Sequence, residues 1–284
     1  MDVLSDVITL MRAGEPSSAR FAWSNPWERH FPAIPGAAGF VIVRAGTCRL
    51  RPPGDAAEVT LYPGDVVFRP HGRAHTLSGD GPTVTICGGY RLDETRIHPL
   101  LTELPELVRL SVSGETVADA GLRTTVDLLA AELERSRPGR DAIVAALLDL
   151  LLAQMLRTWL DNGPAVTATT GWAAALQDPV VSAALHAMHD DPARPWTVAT
   201  LAAAGGLSRA PFARRFAART GRPPLTYLTW WRMTTASRLL RDTDASISAV
   251  AARVGYTSEF AFAAAFKRHF GTAPGRYRGG ALSA

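Results

Sequence analysis

Apolar residues repeat at helical spacing in two stretches in the C-terminal part of this 284-residue chain. In each stretch two phenylalanines lie four positions apart, which places them on one face of a helix. They belong to a longer pattern of Ser208, Phe212, Phe216, Gly221, Pro224 and Tyr227, which recurs as Ser258, Phe262, Phe266, Gly271, Pro274 and Tyr277. All six positions are displaced by the same 50 residues. A constant offset of this kind indicates a duplicated structural unit.

Each unit is predicted to contain two short helices joined by a glycine turn. The residues expected to cap, break and end these helices are Thr197, Gly205, Gly206, Ser208 and Gly221 in the first unit, and Ser246, Gly255, Ser258 and Gly271 in the second. Two helices joined by a tight turn, the second of them amphipathic, are typical of the helix-turn-helix motif. The two motifs are predicted over about residues 198–219 and 247–270.

The segment between the units, Leu225 to Arg241, is predicted to form one long helix. Its apolar positions are spaced to pack against both units, so it would hold their second helices at a fixed separation. Two such helices can enter successive major grooves on one side of DNA, about 34 Å apart. Arg232 lies among the apolar positions of this helix, and we interpret it as a paired structural arginine rather than a DNA contact.

Residues 196–216 and 255–278 resemble the DNA-binding domain of the AraC/XylS family of bacterial transcription regulators. The resemblance implies that the second helix of each unit lies against DNA. The residues it places at that surface are Ser208, Arg209, Ala210, Ala213 and Arg214 in the first unit, and Ser258, Glu259, Phe260, Ala263, Ala264 and Lys267 in the second.

The second unit departs from the family at one of these positions. Ala264 stands where the family commonly has arginine, and the neighbouring Ala263 is also apolar. A methyl group can contact thymine but cannot form a hydrogen bond to a guanine edge. We therefore expect the first unit, with Arg214, to carry most of the sequence readout, and the second unit mainly to position the domain.

Between Phe21 and Tyr90, short β-prone runs are separated by turn residues. The predicted strands are Phe40–Arg44, Thr47–Arg51, Glu58–Tyr62, Val66–Arg69, His75–Ser78 and Thr83–Gly88. Several short strands at near-regular spacing favour a sandwich or barrel. Gly64, Pro70, Gly72 and His75 also have the spacing of the second cupin motif, so this part resembles a cupin barrel.

In cupin enzymes the residue matched by His75 would ligate a metal together with an earlier motif that contains histidine and glutamate. That motif should end near Gly46, but residues 39–44 contain neither. Because two ligands do not hold a divalent metal tightly, we predict no bound metal and no cofactor. The barrel mouth is still the natural place for a small ligand. Its candidate contacts are Arg44, Arg69, His71 and His75, with solvent-facing or structural roles as the open alternative.

Helices are predicted both before and after the barrel in the sequence. We predict an amphipathic helix over Met1–Arg12, a crossover over Ile97–Leu110, and two helices over Leu122–Arg135 and Asp141–Leu160. The family uses such a helix pair for dimerisation, and core packing without dimerisation is the alternative. Asp161–Gln177 is interpreted as a linker because it is rich in Gly, Pro, Thr and Ala. Asp178-Pro179 then begins a helix that runs through His189.

Charge is distributed unevenly along the chain. Residues 180–284 contain 14 Lys and Arg against 5 Asp and Glu, whereas the rest of the chain contains 16 against 21. A basic C-terminal part suits the attraction of phosphate groups. Cys48 and Cys87 are too few for a disulfide scaffold. The apolar run Ile143–Leu156 is too short to span a bilayer and no leader is evident, so we expect a cytoplasmic protein.

The predicted fold class is an α+β multidomain protein. A cupin-like barrel with a helical dimerisation segment, residues 1–160, is followed by a linker, residues 161–177, and an all-α domain with two helix-turn-helix motifs, residues 178–280. The predicted function is a DNA-binding transcription regulator that responds to a small molecule, not an enzyme. Its expected partners are double-stranded DNA half-sites, an effector, a second copy of the chain and RNA polymerase. A cupin metalloenzyme fused to a DNA-binding domain is the alternative.

Overall fold

The computed structural model describes residues 2–11, 14–24, 26–54, 57–92, 98–112, 117–135, 137–162 and 171–281. These residues form two compact units. One unit lies within Met11–Thr167 and contains two β-sheets, and the other comprises Met1–Leu10 and Ala168–Ala284 and is helical. The predicted α+β architecture, with a β-rich N-terminal part and a helical C-terminal part, is confirmed.

The strands of the β-rich unit are β1 Ser17–Trp23, β2 Trp27–Phe31, β3 Ala37–Ala45, β4 Cys48–Arg51, β5 Val59–Leu61, β6 Asp65–Arg69, β7 His75–Gly79, β8 Thr83–Arg91 and β9 Val108–Ser111. They form a five-stranded sheet in the order β1-β8-β3-β6-β9 and a four-stranded sheet in the order β2-β7-β4-β5. Val41, Val67, Leu77 and Cys87 join one buried cluster, which both sheets supply. The core of this unit therefore lies between the two sheets.

Three of these strands were not predicted, and all three are edge strands: β1, β2 and β9. An edge strand pairs on one side only and is partly exposed, so its apolar alternation is weak. β1 shows this, since all of its residues are exposed or half-buried. β9 lies in the segment that we expected to be a crossover, but it pairs with β6 in an antiparallel register.

Helices α2 Pro99–Thr102, α3 Val117–Glu134 and α4 Arg140–Asn162 complete this unit. Helices α3 and α4 pack on each other, and their inner faces bury residues such as Leu122, Leu129 and Leu151. The hydroxyl of Tyr90 donates a hydrogen bond to the carbonyl of Leu148 at 2.7 Å, which ties α4 to the sheet. By length and composition alone, α4 could cross a membrane, although the shorter run considered above could not. Of its most apolar window, 44% is buried inside the protein.

The helical unit contains α1 Val3–Met11, α5 Gly171–Gln177, α6 Pro179–Asp190, α7 Val198–Ala204, α8 Arg209–Thr220, α9 Pro224–Asp242, α10 Ile247–Arg253, α11 Glu259–Phe270 and α12 Pro274–Ala281. The sequence had grouped the first helix with the barrel, whereas α1 packs in the helical unit. The second half of the predicted linker forms α5, whose Trp172 is fully buried. Residues 163–170 of that linker lie outside the described residues.

The sequence repeat is also a repeat in three dimensions. Helices α8 and α11 both end at a glycine in the left-handed region, with φ of 71° at Gly221 and 74° at Gly271. The paired phenylalanine rings lie 5.7 Å apart in α8 and 5.6 Å apart in α11. Asp178 caps α6 as predicted, but Ser208 makes no capping bond, although it lies at the N-cap position of α8.

Candidate DNA-contacting surface and ligand cavity

The outer face of α8 consists of short and basic side chains. Arg209, Ala210 and Arg214 are exposed, and Ala213 is half-buried. Phe212 and Phe216 are fully buried on the opposite side of the helix, and this fixes the direction of the outer face. The helix therefore presents residues predicted to contact DNA to solvent.

Neighbouring arginines on α8 have different environments. Asp178, buried at the start of α6, accepts a hydrogen bond from Arg215 Nε at 2.7 Å and lies 3.5 Å from Arg219 Nε. These contacts contribute to a lowered pKa of Asp178, although its burial opposes the shift. Within the described part of the chain, no ion pair involves Arg209 or Arg214. Arg215 thus anchors α8 to α6, while Arg209 and Arg214 remain available to a phosphate or a base.

The outer face of α11 has a different chemistry. Glu259, Phe260, Ala264 and Lys267 are exposed and Ala263 is half-buried. Phe260 is 89% exposed, the highest value among the large apolar residues described. Exposure of a phenyl ring to water is unfavourable, so the position of Phe260 at the start of this helix suits apolar contact with a partner.

Helix α9 connects the two motifs and packs against α8, α10, α11 and α12. It contributes Met233 and Leu240 to the core that also buries Phe262 and Phe266. Arg232 Nε donates to the carbonyl of Pro192 at 2.7 Å, and Nη2 donates to the carbonyl of Arg194 at 2.9 Å. Arg232 is therefore structural, as predicted, although its partners are backbone carbonyls rather than a carboxylate.

The β-rich unit contains a cavity of about 590 Å³, a size typical of small-molecule sites. Much of its lining is apolar and includes Phe21, Phe31, Ile34 and Val41. Of the four residues predicted to contact a ligand, Arg69 and His75 line the cavity. The cavity thus combines an apolar wall with a small number of polar groups.

Arg69 and His75 meet across the two sheets. Arg69 is on β6 of one sheet and His75 on β7 of the other, and Arg69 Nη1 lies 2.6 Å from His75 Nδ1. The imidazole ring stacks on Phe31 with a centroid distance of 4.7 Å. Burial, and then the charge of Arg69, lower the pKa of His75 to about 3, so the imidazole is neutral and Nδ1 accepts from the guanidinium. Burial also lowers the pKa of Arg69 to about 10, which leaves it charged at neutral pH.

The surroundings of His75 do not fit a metal ion. A cation on Nδ1 would occupy the position of the positively charged Arg69 guanidinium. The described residues contain no group of three or more His, Cys, Asp or Glu side chains that could hold a metal. Cys48 and Cys87 are buried free thiols, and burial raises their pKa to about 11 and about 12, so neither favours the thiolate that a metal requires.

The other two predicted ligand contacts lie elsewhere. Arg44 Nη1 donates to Asp127 Oδ1 at 2.8 Å and joins β3 to α3. His71 Nε2 lies 2.9 Å from the carbonyl of Leu104. Among the described residues, neither lines the cavity. Both are bound to neighbouring elements of their own unit, and a ligand contact by either remains a prediction.

Two glycines that the sequence analysis did not single out shape the cavity. Arg69 pairs with Gly39, Gly39 with Gly89, and Gly89 with Ser17, so these residues form one row across β6, β3, β8 and β1. Val41 and Cys87, two residues along the same strands, belong to the core between the sheets. By alternation, the row faces that interior, where glycines leave space. Each glycine lies one residue outside a predicted strand, Phe40–Arg44 or Thr83–Gly88, so the sequence offered only a glycine at a strand end as a signal.

The chain matches known families over both units. A family model described as a cupin matches residues 2–161, and one described as a helix-turn-helix domain matches residues 201–280. An AraC-like transcription regulator of Streptomyces lividans is 35% identical, and the match covers 98% of each chain. The regulator AlkR of Acinetobacter baylyi is 34% identical over 79% of this chain and 82% of its own. The solved DNA-binding domain of AdpA, in complex with a target DNA, is 35% identical and covers 37% of this chain and 95% of that domain, with a TM-score of 0.36.

The cupin match includes more than half of the chain, and the Streptomyces relative matches it almost from end to end. Together with the duplicated helix-turn-helix and the barrel that precedes it, these matches show that the chain belongs to the AraC family of transcription regulators.

Proposed function

We propose that this protein acts in the cytoplasm, binding promoter DNA through α8 and α11 and changing its DNA binding when a small molecule occupies the barrel cavity. The observation that carries the proposal is the pair of outward helix faces, backed by the same buried phenylalanine pair in both motifs. RNA polymerase would be the partner at the promoter.

The DNA-binding residues proposed are Ser208, Arg209, Ala210, Ala213 and Arg214 on the first motif, and Ser258, Glu259, Phe260, Ala263, Ala264 and Lys267 on the second. Arg214 supports base readout because its guanidinium is exposed and has no ion-pair partner in the described residues. Arginine can donate two hydrogen bonds to a guanine edge. Lys267 is exposed at the other end of α11 from Phe260, and it suits a phosphate contact.

We also propose that α3 and α4 form a homodimer interface. Three large apolar residues of these helices are substantially exposed: Leu128 at 51%, Ile143 at 44% and Leu150 at 43%. Ile143 and Leu150 are seven positions apart and therefore share one face of α4, and an exposed apolar face is typical of an interface. A two-fold dimer would present two DNA-binding units to repeated half-sites.

The test is selection of bound DNA from a random pool by the full-length protein. The proposal expects an enriched sequence, with one conserved segment for each engaged motif. It also expects that mass measurement of the complex finds two protein chains on a site with repeated half-sites. A pool that shows no enrichment over input would contradict sequence-specific binding. Enrichment of a single unrepeated site, bound by one chain, would contradict the dimer alone.

A further inference from the structure

Arg69 carries a buried positive charge whose described partners are all neutral. The residue is 8% exposed. Its guanidinium contacts His75 Nδ1 at 2.6 Å and donates to the carbonyls of Arg73 and Ala74. A buried charge is costly unless an opposite charge compensates it. A guanidinium has five N–H donors, so donors remain beyond these three acceptors.

The carboxylates of the described residues do not supply that opposite charge. Burial lowers the pKa of Arg69 and the charge of Glu106 raises it, but Glu106 Oε2 is bound by Arg73 Nε at 2.9 Å. No described carboxylate lies within ion-pair distance of Arg69. His75, the nearest titratable group, is neutral and offers only a lone pair.

Besides Arg69, the charged residues of the cavity lining are Arg73 and Arg91 against Glu15, and much of the remaining lining is apolar. Because Arg73 is paired with Glu106, the lining has one excess positive charge. Gly39 and Gly89 line the cavity on one sheet, where a Cβ added at Gly39 would lie 3.8 Å from Arg69 Nη1. The Phe31 ring bounds the cavity from the other sheet. A ligand that fits this site has one negative charge and an apolar body.

We propose that the cavity binds an organic monocarboxylate, whose carboxylate pairs with Arg69 and whose apolar body lies between Phe31 and the Gly39–Gly89 row. A carboxylate matches the planar donor pattern of a guanidinium. A phosphate is disfavoured because its second charge would need a second buried cation, and both Arg73 and Arg91 are exposed. The inference rests on the proposed function, since it names the chemical class of the effector.

The test measures binding to the full-length protein by calorimetry with matched probes that differ in charge. The pairs are hexanoate and 1-hexanol, benzoate and benzyl alcohol, and 4-phenylbutanoate and 4-phenylbutan-1-ol, with inorganic phosphate alongside. For at least one pair, wild type should bind the acid about tenfold or more tightly than the alcohol. The free energy of a hydrogen bond to a charged group corresponds to about that ratio of dissociation constants. Arg69→Gln should lose this preference, and Arg69→Lys should keep part of it.

Arg29→Gln is the matched control, because Arg29 is an exposed arginine of β2 outside the cavity lining. It should bind every probe as wild type does. The inference is overturned if no acid is preferred over its alcohol, if Arg69→Gln keeps the preference, or if phosphate binds more tightly than all acids. If Arg69→Gln does not fold, the acid preference of wild type and its reduction in Arg69→Lys still test the inference.

Binding of the DNA selected from the random pool is measured on the same preparations. If that DNA is bound but no acid is preferred, the carboxylate inference fails and the proposed function stands. If an acid is preferred but no DNA is enriched, the proposed regulator role fails and the carboxylate site at Arg69 stands.

Discussion

Asp6 and His189 are 183 residues apart in sequence, yet Asp6 Oδ2 lies 3.1 Å from His189 Nδ1. The other ring nitrogen of His189 lies 2.7 Å from the Tyr227 hydroxyl, and the ring stacks on Trp231 with a centroid distance of 3.6 Å. The geometry fits a neutral imidazole that donates from Nδ1 to the carboxylate and accepts from the tyrosine at Nε2. Through this network, helix α1 is attached to α6 and α9 of the DNA-binding unit.

Replacing Asp6 should therefore destabilise that unit. Asp6→Ala leaves the buried N–H of His189 without its acceptor, and we expect a loss of about 1–3 kcal/mol in the free energy of unfolding. Urea denaturation followed by tryptophan fluorescence measures this loss. Thr9→Ala is the control, because Thr9 is exposed on the same helix and should change stability by less than about 0.5 kcal/mol. Equal effects of the two substitutions would contradict the network.

The stability of the same unit should fall in mild acid. Burial lowers the pKa of His189 despite the opposing hydrogen bond and charge of Asp6. The unfolded chain then binds more protons than the folded chain below the ordinary pKa of 6.5, so stability is present above that pH and is lost as the pH falls through it. Unfolding titrations at pH 7.5 and 5.5 measure the loss. His189→Gln should show a smaller difference between the two pH values, and an unchanged difference would assign the effect to other groups.

Arg214 and Lys267 should affect DNA binding in different ways. Arg214→Ala removes a proposed base contact, and it should cost about 1–3 kcal/mol and relax the base preference at one position. Lys267→Ala removes a proposed phosphate contact, so it should weaken binding to all sequences and reduce the salt dependence by about one charge. Titrations of selected and scrambled DNA at several salt concentrations distinguish the two. Unchanged affinity and base preference in Arg214→Ala would show that the first motif does not read sequence through this residue.

Phe260 and Phe262 are neighbours with opposite environments on α11. Phe260 is 89% exposed, so Phe260→Ala should leave the free energy of unfolding within about 0.5 kcal/mol while lowering DNA affinity. Phe262 is fully buried, and Phe262→Ala should cost about 3–5 kcal/mol of stability through the cavity it creates. Thermal unfolding and DNA titration of both variants make the comparison. If Phe260→Ala binds DNA like wild type, its exposed ring serves another partner.

The exposed apolar residues of α3 and α4 provide a test of dimerisation. Leu150→Glu places a charge on the proposed interface and should shift the protein toward monomer at micromolar concentrations. Leu128→Glu should have the same effect from the other helix. Asp141→Lys changes the charge at the start of α4 without removing an apolar side chain, and it serves as the control. Sedimentation equilibrium measures the masses, and a wild-type monomer at tens of micromolar would remove the dimer proposal.

The DNA-binding unit was largely predictable from sequence because its structure depends on local patterns. Helix α9 was expected over Leu225–Arg241 and runs over Pro224–Asp242. Gly221 and Gly271 end their helices as expected, because glycine adopts the left-handed conformation at little cost. Caps, glycine stops and four-residue spacings act within one or two turns, so one sequence reveals them.

The ligand cavity was less predictable, because its geometry depends on contacts between distant strands. Four polar residues were predicted to contact a ligand at one site. In the structure Arg69 and His75 line the cavity, whereas Arg44 is bound to Asp127 and His71 lies beside the carbonyl of Leu104. Which strand neighbours which, and which face a side chain occupies, follow from sheet order and register. The edge strands β1, β2 and β9 were missed because pairing on one side leaves little periodic signal.

The sequence by itself determined the duplicated helix-turn-helix, helix α6 before it, the connecting helix α9 and the presence of a β-rich unit, because each is encoded in short-range periodicity. Only the tertiary structure decided that α1 joins the DNA-binding unit through Asp6 and His189, and that the buried Arg69 meets the neutral His75. Both are pairings of polar groups in a desolvated interior. Their energy depends on distance and burial, which residue order does not specify.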